Sequence, residues 1–379
     1  MPPNGPSGVD LRSILQTVHN VIKRQTKQVC SAPCDGLVLR MHYSWTFFLL
    51  LGNFLMVWHS WYYNEVITCV SNFNADSKAK QDYINICLSY PFVEGNGPRR
   101  YILFYRWIKW SLLVLAGVYY IPWKVSKGID NARCKKLLED LASNAHHYEQ
   151  LEDKLWEKQV KRAGWYVISN LKTHNSLYWK YLGVNILALV IDLSTMYYLH
   201  FTLQNRFIQY GFKAFPFDRD SVNFTDYMSQ TFPPFVSCEL NYQNRLVNMR
   251  TEKFGCHLTI MELYEKVFLG LWLWLIALIF ITFCHIVFLL TMWLPCVRAY
   301  LLRTSKTVHA DDKVQTDIHK VLKDFMIGDM YLLYRLKGHF SHVRFYQLMR
   351  LISDRDQWKK MLPKDKEKKD PLNSIFEIA

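Results

Sequence analysis

Four apolar blocks in this sequence are long enough to cross a lipid bilayer. A hydrocarbon core of about 30 Å requires roughly 20 apolar residues in a helix. The blocks are residues 43–63, 101–123, 181–202 and 266–294, and each carries Trp or Tyr near its ends. The fourth contains no Lys, Arg, Asp or Glu after its first residue, which is rare in the core helix of a soluble protein. We therefore predict an all-α membrane protein with four transmembrane helices.

Positive charge is confined to alternate segments between these blocks. Lys and Arg exceed Asp and Glu by three in residues 1–42, by four in residues 124–180 and by six in residues 297–379. The excess is zero in residues 64–100 and in residues 203–262. Because cytoplasmic loops carry the excess of Lys and Arg, we expect both termini and the central loop in the cytoplasm. The two remaining loops are then external, and we expect a multi-pass membrane protein.

The cysteines follow the same topology. Cys69 and Cys87 lie in the first predicted external loop, and Cys238 and Cys256 lie in the second. Disulfides persist in the oxidising exterior and are rare in the cytosol. We therefore predict two disulfides among these four residues, formed either within each loop or between the loops. Pairing between the loops would join them into one compact external cap.

Several stretches of the sequence match the motifs of a known family. Residues 232–274 contain FP, two cysteines, EK and LWLW in an order similar to the innexin stretch that leads into the fourth span. Residues 327–334, IGDMYLLY, look like the innexin GDWFLLY motif, and residues 120–122, YIP, resemble the end of the second span. The chain thus resembles the innexins, the invertebrate gap-junction proteins related to vertebrate pannexins. Residues 104–107, FYRW, replace the family's YYQW signature, so a divergent or viral member over residues 38–352 fits best.

The resemblance implies a function and a disulfide pattern. It implies a homo-oligomer, or a hetero-oligomer with related subunits, in which a ring of eight encloses a large pore for ions and small molecules. Such a ring acts as an unpaired hemichannel or docks with an opposing ring on a neighbouring cell, forming a gap junction at a cell–cell contact. The resemblance also implies pairing of Cys69 with Cys256 and of Cys87 with Cys238, in keeping with the matched spacing of 17 residues within each loop. The alternative is a non-conducting four-span adhesion or scaffold protein.

The N-terminal segment is predicted to form an amphipathic helix. Apolar residues recur at helical spacing between Leu11 and Ile22, and Arg12, Gln16 and Asn20 lie between them. Such a helix can lie flat on the inner leaflet of the membrane. The resemblance favours a helix folded into the pore, where these three polar residues line the cytoplasmic funnel.

Ionisable and polar residues inside the predicted spans are further candidates, because charge in a bilayer costs about 3 kcal/mol. Arg106 and Lys109 lie three apart near the outer end of the second block, either lining the pore or extending towards the interface. Asp192 lies near the middle of the third block, and Asn185 lies in the same block. We expect Asp192 to hydrogen-bond a polar residue of a neighbouring helix.

Other chemistry is sparse in this sequence. Asn223 begins the N-x-S/T sequon of the predicted external loops and is a glycosylation candidate. No G-x-S-x-G, HExxH or P-loop motif is present, so we expect no enzyme and no cofactor. Cys30 and Cys34 form a lone C-x₃-C without a second pair, so we expect no metal site. Because the net charge of +14 follows the membrane topology, we expect membrane lipid and not nucleic acid as a partner.

These patterns together predict nine consecutive regions. The external loops are expected to form a disulfide-linked cap, and the regions after the second and fourth blocks a helical cytoplasmic dome. The regions are the N-terminal segment 1–42, spans 43–63, 101–123, 181–202 and 266–294, external loops 64–100 and 203–265, cytoplasmic loop 124–180, and the C-terminal region 295–379.

Overall fold

The computed structural model describes the following residues: 16, 36–63, 66–70, 84–94, 99–129, 153–217, 220, 224–240, 252–302, 325–338, 340 and 342–353. These residues divide between two compact units. The sheet-bearing unit comprises Leu37–Lys124 and Asn185–Cys284, and the terminal unit comprises Met1–Gly36, Val125–Val184 and His285–Ala379.

Twelve α-helices make up most of the described structure: α1 Leu37–Arg40, α2 Phe47–Tyr63, α3 Ile108–Tyr119, α4 Ile121–Ile129, α5 Asp153–Ser169, α6 Asn175–Thr202, α7 Tyr210–Ala214, α8 Tyr227–Thr231, α9 Thr259–Thr291, α10 Pro295–Leu302, α11 Ile327–Lys337 and α12 His342–Ser353. A π-helix, Met41–Thr46, precedes α2, and a 3₁₀ turn, Phe104–Arg106, precedes α3. Five strands accompany them: β1 Thr68–Val70, β2 Phe92–Val93, β3 Arg100–Tyr101, β4 Phe235–Leu240 and β5 Glu252–His257.

In the sheet-bearing unit, α2 packs along α3. Leu50 and Val57 of α2 are fully buried, as are Ile108 and Leu112 of α3, at the spacing of one helical face. Aromatic rings extend this contact, with Trp58 and Trp110 meeting edge to face at 5.4 Å between ring centroids. Apolar packing therefore holds the two helices side by side.

In the terminal unit, α5 packs against α12 around a separate apolar core. Val160, Ala163 and Val167 of α5 are buried, as are Leu348 and Ile352 of α12. Gly164 permits the close approach of α5 to its partner. A Cβ atom at that position would lie 2.4 Å from Cδ2 of Leu351 in α12.

Among the described residues, α6 and α9 are long and apolar enough to cross a membrane by length and composition. The other two predicted spans are less uniform. Residues 43–63 run without a break from the end of the π-helix into α2, whereas residues 101–123 include a strand end, the 3₁₀ turn, α3 and the start of α4. Pro122 accounts for the break between α3 and α4, because proline lacks the N–H that a continuous helix needs.

The all-α prediction is correct for most of the described residues and wrong for the segments predicted as external loops. Apart from Tyr101 of β3, these segments supply all the residues of the five described strands, which form one antiparallel sheet in the order β1-β5-β4-β2-β3. Three of the strands have only two or three residues, which is too short for an alternating pattern to show in the sequence. Tertiary pairing defines them instead.

Candidate functional site

The sheet joins the two predicted external loops strand by strand. β1, β2 and β3 come from the first loop, and β4 and β5 come from the second. The longest pairing, between β4 and β5, runs from Phe235 opposite His257 to Leu240 opposite Glu252. Neither loop forms the whole sheet by itself, because β1 pairs with β5 and β2 pairs with β4.

Two disulfides lie on the buried face of this sheet. Cys69 and Cys256 face each other in the β1–β5 register and are bonded, with Cα atoms 4.1 Å apart. Cys87 and Cys238 form the second bond, with Cα atoms 5.2 Å apart. This is the pairing between loops that the innexin resemblance implies. The bonds close sequence separations of 187 and 151 residues, and a disulfide that closes a long loop strongly restricts the unfolded chain.

The sulfur atoms of the two disulfides lie close together. Those of Cys69, Cys87 and Cys256 are within 4.8 Å of one another. A metal would need thiolate ligands, and these sulfurs are already bonded as disulfides. The cluster therefore serves as a covalent junction between the loops.

The other face of the sheet carries ion pairs and apolar residues. Lys253 Nζ lies 2.8 Å from Oε1 of Glu94, and its hydrogen bond and charge lower the pKa of that carboxyl. Exposed ion pairs of this kind add little to the stability of the fold. Their main effect is on the specificity with which this face of the sheet binds another surface. Val70 and Phe235 are both exposed beside an open groove of about 450 Å³ that also borders Gly255. This face thus offers an apolar surface beside paired charges.

Asp192 lies in a buried polar cluster among the helices. The hydroxyl of Tyr119 in α3 donates to Asp192 Oδ1 at 3.0 Å, and Nδ1 of His42 lies 3.4 Å from the same oxygen. His42 Nε2 is 2.9 Å from Oγ1 of Thr282 in α9. These four residues are fully buried, so the cluster links the π-helix, α3, α6 and α9. The expected interhelical hydrogen bond of Asp192 is therefore present in the structure.

Lys109 and Arg106 lie in different environments. Lys109 is 5% exposed, and its Nζ lies 3.8 Å from the centre of the Trp61 ring and 5.3 Å from that of Tyr62. Cation–π contacts of this kind contribute about 0.5–2 kcal/mol each. Arg106 belongs to the 3₁₀ turn and is exposed, with Nη1 3.4 Å from Oγ of Ser89. The turn separates the two cations, which a continuous helix would have placed on one face.

The remaining predicted site residues are distributed as follows. Gln16 is helical and exposed, and Asn185 is fully buried. Arg12, Asn20 and Asn223 lie outside the described residues.

The IGDMYLLY motif has a clear packing role in the terminal unit. A Cβ atom at Gly328 would lie 2.2 Å from the backbone carbon and oxygen of His174. Asp329 is fully buried and accepts from the backbone N–H of Lys172 at 3.0 Å and from Nδ1 of His174 at 2.9 Å. The motif thus attaches the start of α11 to the turn that precedes α6.

Sequence reasoning missed three of these contributors. His42 precedes the first apolar block by one residue, and Thr282 lies inside the fourth, so neither has a pattern that marks it. His174 stands alone in the segment that the sequence predicts to be cytoplasmic. Only the fold brings these residues to Asp192 and Asp329.

In its described residues, the protein is thus mainly helical, with two helices of membrane-crossing length and a disulfide-linked sheet. The innexin family model matches residues 35–355. Innexin inx2 of Schistocerca americana is 24% identical over 337 residues, covering 83% of this chain and 91% of the relative. Innexin shaking-B of Drosophila melanogaster is 22% identical over 372 residues, covering 90% and 94%. Innexin inx2 of Drosophila melanogaster is 25% identical over 331 residues, covering 82% and 87%.

The chain belongs to the innexin family. The resemblance seen in the sequence motifs is therefore confirmed. Innexins are channel-forming gap-junction proteins of the plasma membrane and are not enzymes. Residues 35–355 include every disulfide cysteine and both ionisable candidates of the second block, whereas Arg12, Gln16 and Asn20 precede the match.

Proposed function

We propose that this chain is a subunit of a large-pore channel that passes ions and small molecules across the plasma membrane. Eight copies, alone or with related subunits, form a ring in membrane lipid. Four helical segments of each copy span the bilayer, both termini are cytoplasmic, and the sheet is external. The ring acts as an unpaired hemichannel or docks with an opposing ring on a neighbouring cell.

The sheet carries this proposal. Its strands come from both predicted external loops, and two disulfides hold the loops together. Docking a ring against another ring requires a surface that keeps its shape, because ordering flexible loops at an interface costs free energy. A covalently linked sheet meets that requirement. A protein that served only as a membrane anchor would not need such a rigid external surface.

The exposed apolar surface of α9 supports a place within a membrane assembly. Only 28% of the most apolar stretch of α9 is buried in the chain, and Leu273, Phe280 and Phe283 are exposed. A core helix of a soluble protein buries most of such a surface. Lipid tails and neighbouring subunits are the partners that this surface fits.

Two described residues fit the proposed pore wall. Gln16 and Arg106 are exposed in the single chain, so each is accessible to a lumen formed by several copies. Arg12 and Asn20 share the predicted polar face of Gln16 and are included in the proposal. The aromatic enclosure of Lys109 fits a contact between α2 and α3 better than a place on the pore wall.

Dye uptake by cells that express this chain alone tests the channel proposal. Wild-type protein is expected to admit a small fluorescent dye when it is present at the surface. Cys87→Ser, which breaks a disulfide, is expected to abolish the uptake. Cys284→Ser is the matched control for that variant, because Cys284 is a free cysteine in the structure. Surface-expressed protein that admits no dye and carries no current would instead support the adhesion or scaffold alternative.

Glycosylation of Asn223 bears on whether rings dock. We include a glycan at this site in the proposal, because a bulky sugar fifteen residues before Cys238 would hinder contact between rings. A glycosidase-dependent gel shift, measured beside dye transfer between paired cells, tests this link. A shifted band together with robust transfer would contradict it.

A further inference from the structure

Three cations lie on segments that meet near the C-terminal end of α6. Arg100 is on β3, Arg206 follows α6, and Lys213 is in α7. Nη1 of Arg100 donates to the backbone carbonyl of Gln230 at 2.6 Å, and Nη1 of Arg206 donates to the same carbonyl at 3.1 Å. Nε of Arg100 donates to the side-chain oxygen of Gln204. Two guanidinium groups therefore converge on one neutral acceptor.

The two arginines have no carboxylate partner among the described residues, since none of the ion pairs found there includes Arg100 or Arg206. Nη2 of Arg100 is buried without a hydrogen-bond partner. Burial and the nearby charge of Arg206 lower the pKa of Arg100 to about 10. An anion bound beside these groups would offset both the repulsion and the loss of hydration.

Tyr227 contacts both Arg206 and the third cation, Lys213. Its hydroxyl donates to the carbonyl oxygen of Arg206 at 3.1 Å. The exposed Lys213 places its Nζ 5.3 Å from the centre of the Tyr227 ring. Tyr227 thus contacts both Lys213 and Arg206, and Lys213 has no carboxylate partner among the described residues.

An exposed apolar surface flanks the cations. Its members are Phe201, Ile208, Phe212 and Phe215. The segment that bears them is held firmly, because Trp272 Nε1 donates to the carbonyl of Ile208 at 3.1 Å. A Cβ atom at Gly211 would lie 2.2 Å from the Trp272 ring, so α7 sits directly on α9. The segment thus presents rigidly placed aromatic rings beside positive charge.

We propose that Arg100, Arg206 and Lys213 bind the phosphate group of an outer-leaflet phospholipid, whose glycerol and acyl portions contact the flanking apolar residues. The outer position rests on the topology in the proposed function, which places Thr202 and Tyr101 at the external interface. Guanidinium groups match phosphate oxygens in geometry and charge. Aromatic side chains accumulate at the depth of lipid headgroups. Basic pockets beside membrane helices bind such headgroups.

The full-length protein purified in dodecyl maltoside provides the test. Thermal unfolding is measured with dihexanoylphosphatidylglycerol below its micellar concentration, with inorganic phosphate, and with dihexanoylglycerol, which lacks the phosphate. The phospholipid is expected to raise the unfolding temperature at a lower concentration than inorganic phosphate, and dihexanoylglycerol is expected to have no effect. An equal response to phosphate and to phospholipid would overturn the lipid assignment and indicate a site for free anions.

Single substitutions locate the site. Arg206→Gln is expected to weaken the phospholipid response about tenfold or more, as loss of one charge-assisted hydrogen bond predicts. Lys213→Gln is a second variant that should leave folding intact, because Lys213 is exposed and its ammonium group forms no hydrogen bond within the described structure. Phe201→Ala is expected to weaken the phospholipid response and leave the phosphate response unchanged.

Lys253→Gln is the matched control, since it removes one positive charge from the ion pair with Glu94 on the sheet. It is expected to respond like the wild type. Wild-type responses from both Arg206→Gln and Lys213→Gln would overturn the site. The topology is tested separately by tag accessibility in cells, so its failure is distinguishable from failure to bind phospholipid in detergent.

Discussion

Replacing Asp329 by alanine is expected to destabilise the terminal unit severely. The carboxylate is fully buried and accepts from the backbone N–H groups of Lys172 and Met326, at 3.0 Å and 3.3 Å. It also accepts from Nδ1 of His174 at 2.9 Å. Alanine leaves all three donors without this acceptor.

The magnitude follows from the number of donors that lose their acceptor. Each buried donor left unsatisfied costs about 1–3 kcal/mol, and partial relaxation recovers some of that loss. Breaking a buried charged interaction on one side typically costs about 3–5 kcal/mol, and we expect Asp329→Ala to fall in this range. At about 2–4 °C per kcal/mol, the unfolding temperature should fall by about 6–20 °C.

Thermal unfolding of purified protein, followed by tryptophan fluorescence, measures this effect. The control is Glu157→Ala, which removes an exposed carboxylate paired with Lys161 one helical turn away. It should leave the unfolding temperature close to the wild-type value, because an exposed ion pair contributes little to stability. Gly328→Ala tests the same contact sterically and should also be strongly destabilising. If Asp329→Ala shifts the unfolding temperature no more than Glu157→Ala, the role assigned to this carboxylate is refuted.

Four further outcomes are expected. Cys87→Ser should cost about 2–5 kcal/mol and abolish surface dye uptake, whereas non-reduced peptide mapping that finds Cys87 bonded to Cys69 would contradict the pairing. An epitope tag after Ala379 should stain only permeabilised cells, and staining of intact cells would contradict the topology. Deleting residues 1–22 should preserve assembly but alter single-channel conductance, and unchanged conductance would exclude this segment from the pore. Lys109→Met should leave conductance near the wild-type value while Arg106→Gln changes it, and the reverse result would place Lys109 on the pore wall.

Much of the helical architecture is predictable from the sequence, because a long run of apolar residues favours a helix regardless of the rest of the fold. The third and fourth blocks correspond to the long helices α6 and α9, since a continuous run of apolar residues without proline favours an uninterrupted helix. The second block is less regular in the structure, because Pro122 divides it and residues 104–106 form a 3₁₀ turn. The short strands β2 and β3 were not predictable, because they have two residues each and are defined only by their pairing in the sheet.

The sequence by itself determined the four apolar blocks, the alternation of charge between them, the four loop cysteines and the family motifs. These features depend only on which residues are present and on their order along the chain, so they can be identified without the three-dimensional structure. The family resemblance implied which cysteine bonds to which, and the tertiary structure supplies the physical reason, because strand register brings Cys69 opposite Cys256. Only the tertiary structure brought His42 to Asp192 and His174 to Asp329, across separations in sequence that carry no local signal. A buried carboxylate is stable only beside hydrogen-bonding or oppositely charged partners. The packing of the helices determines which residues become the partners of Asp192 and Asp329.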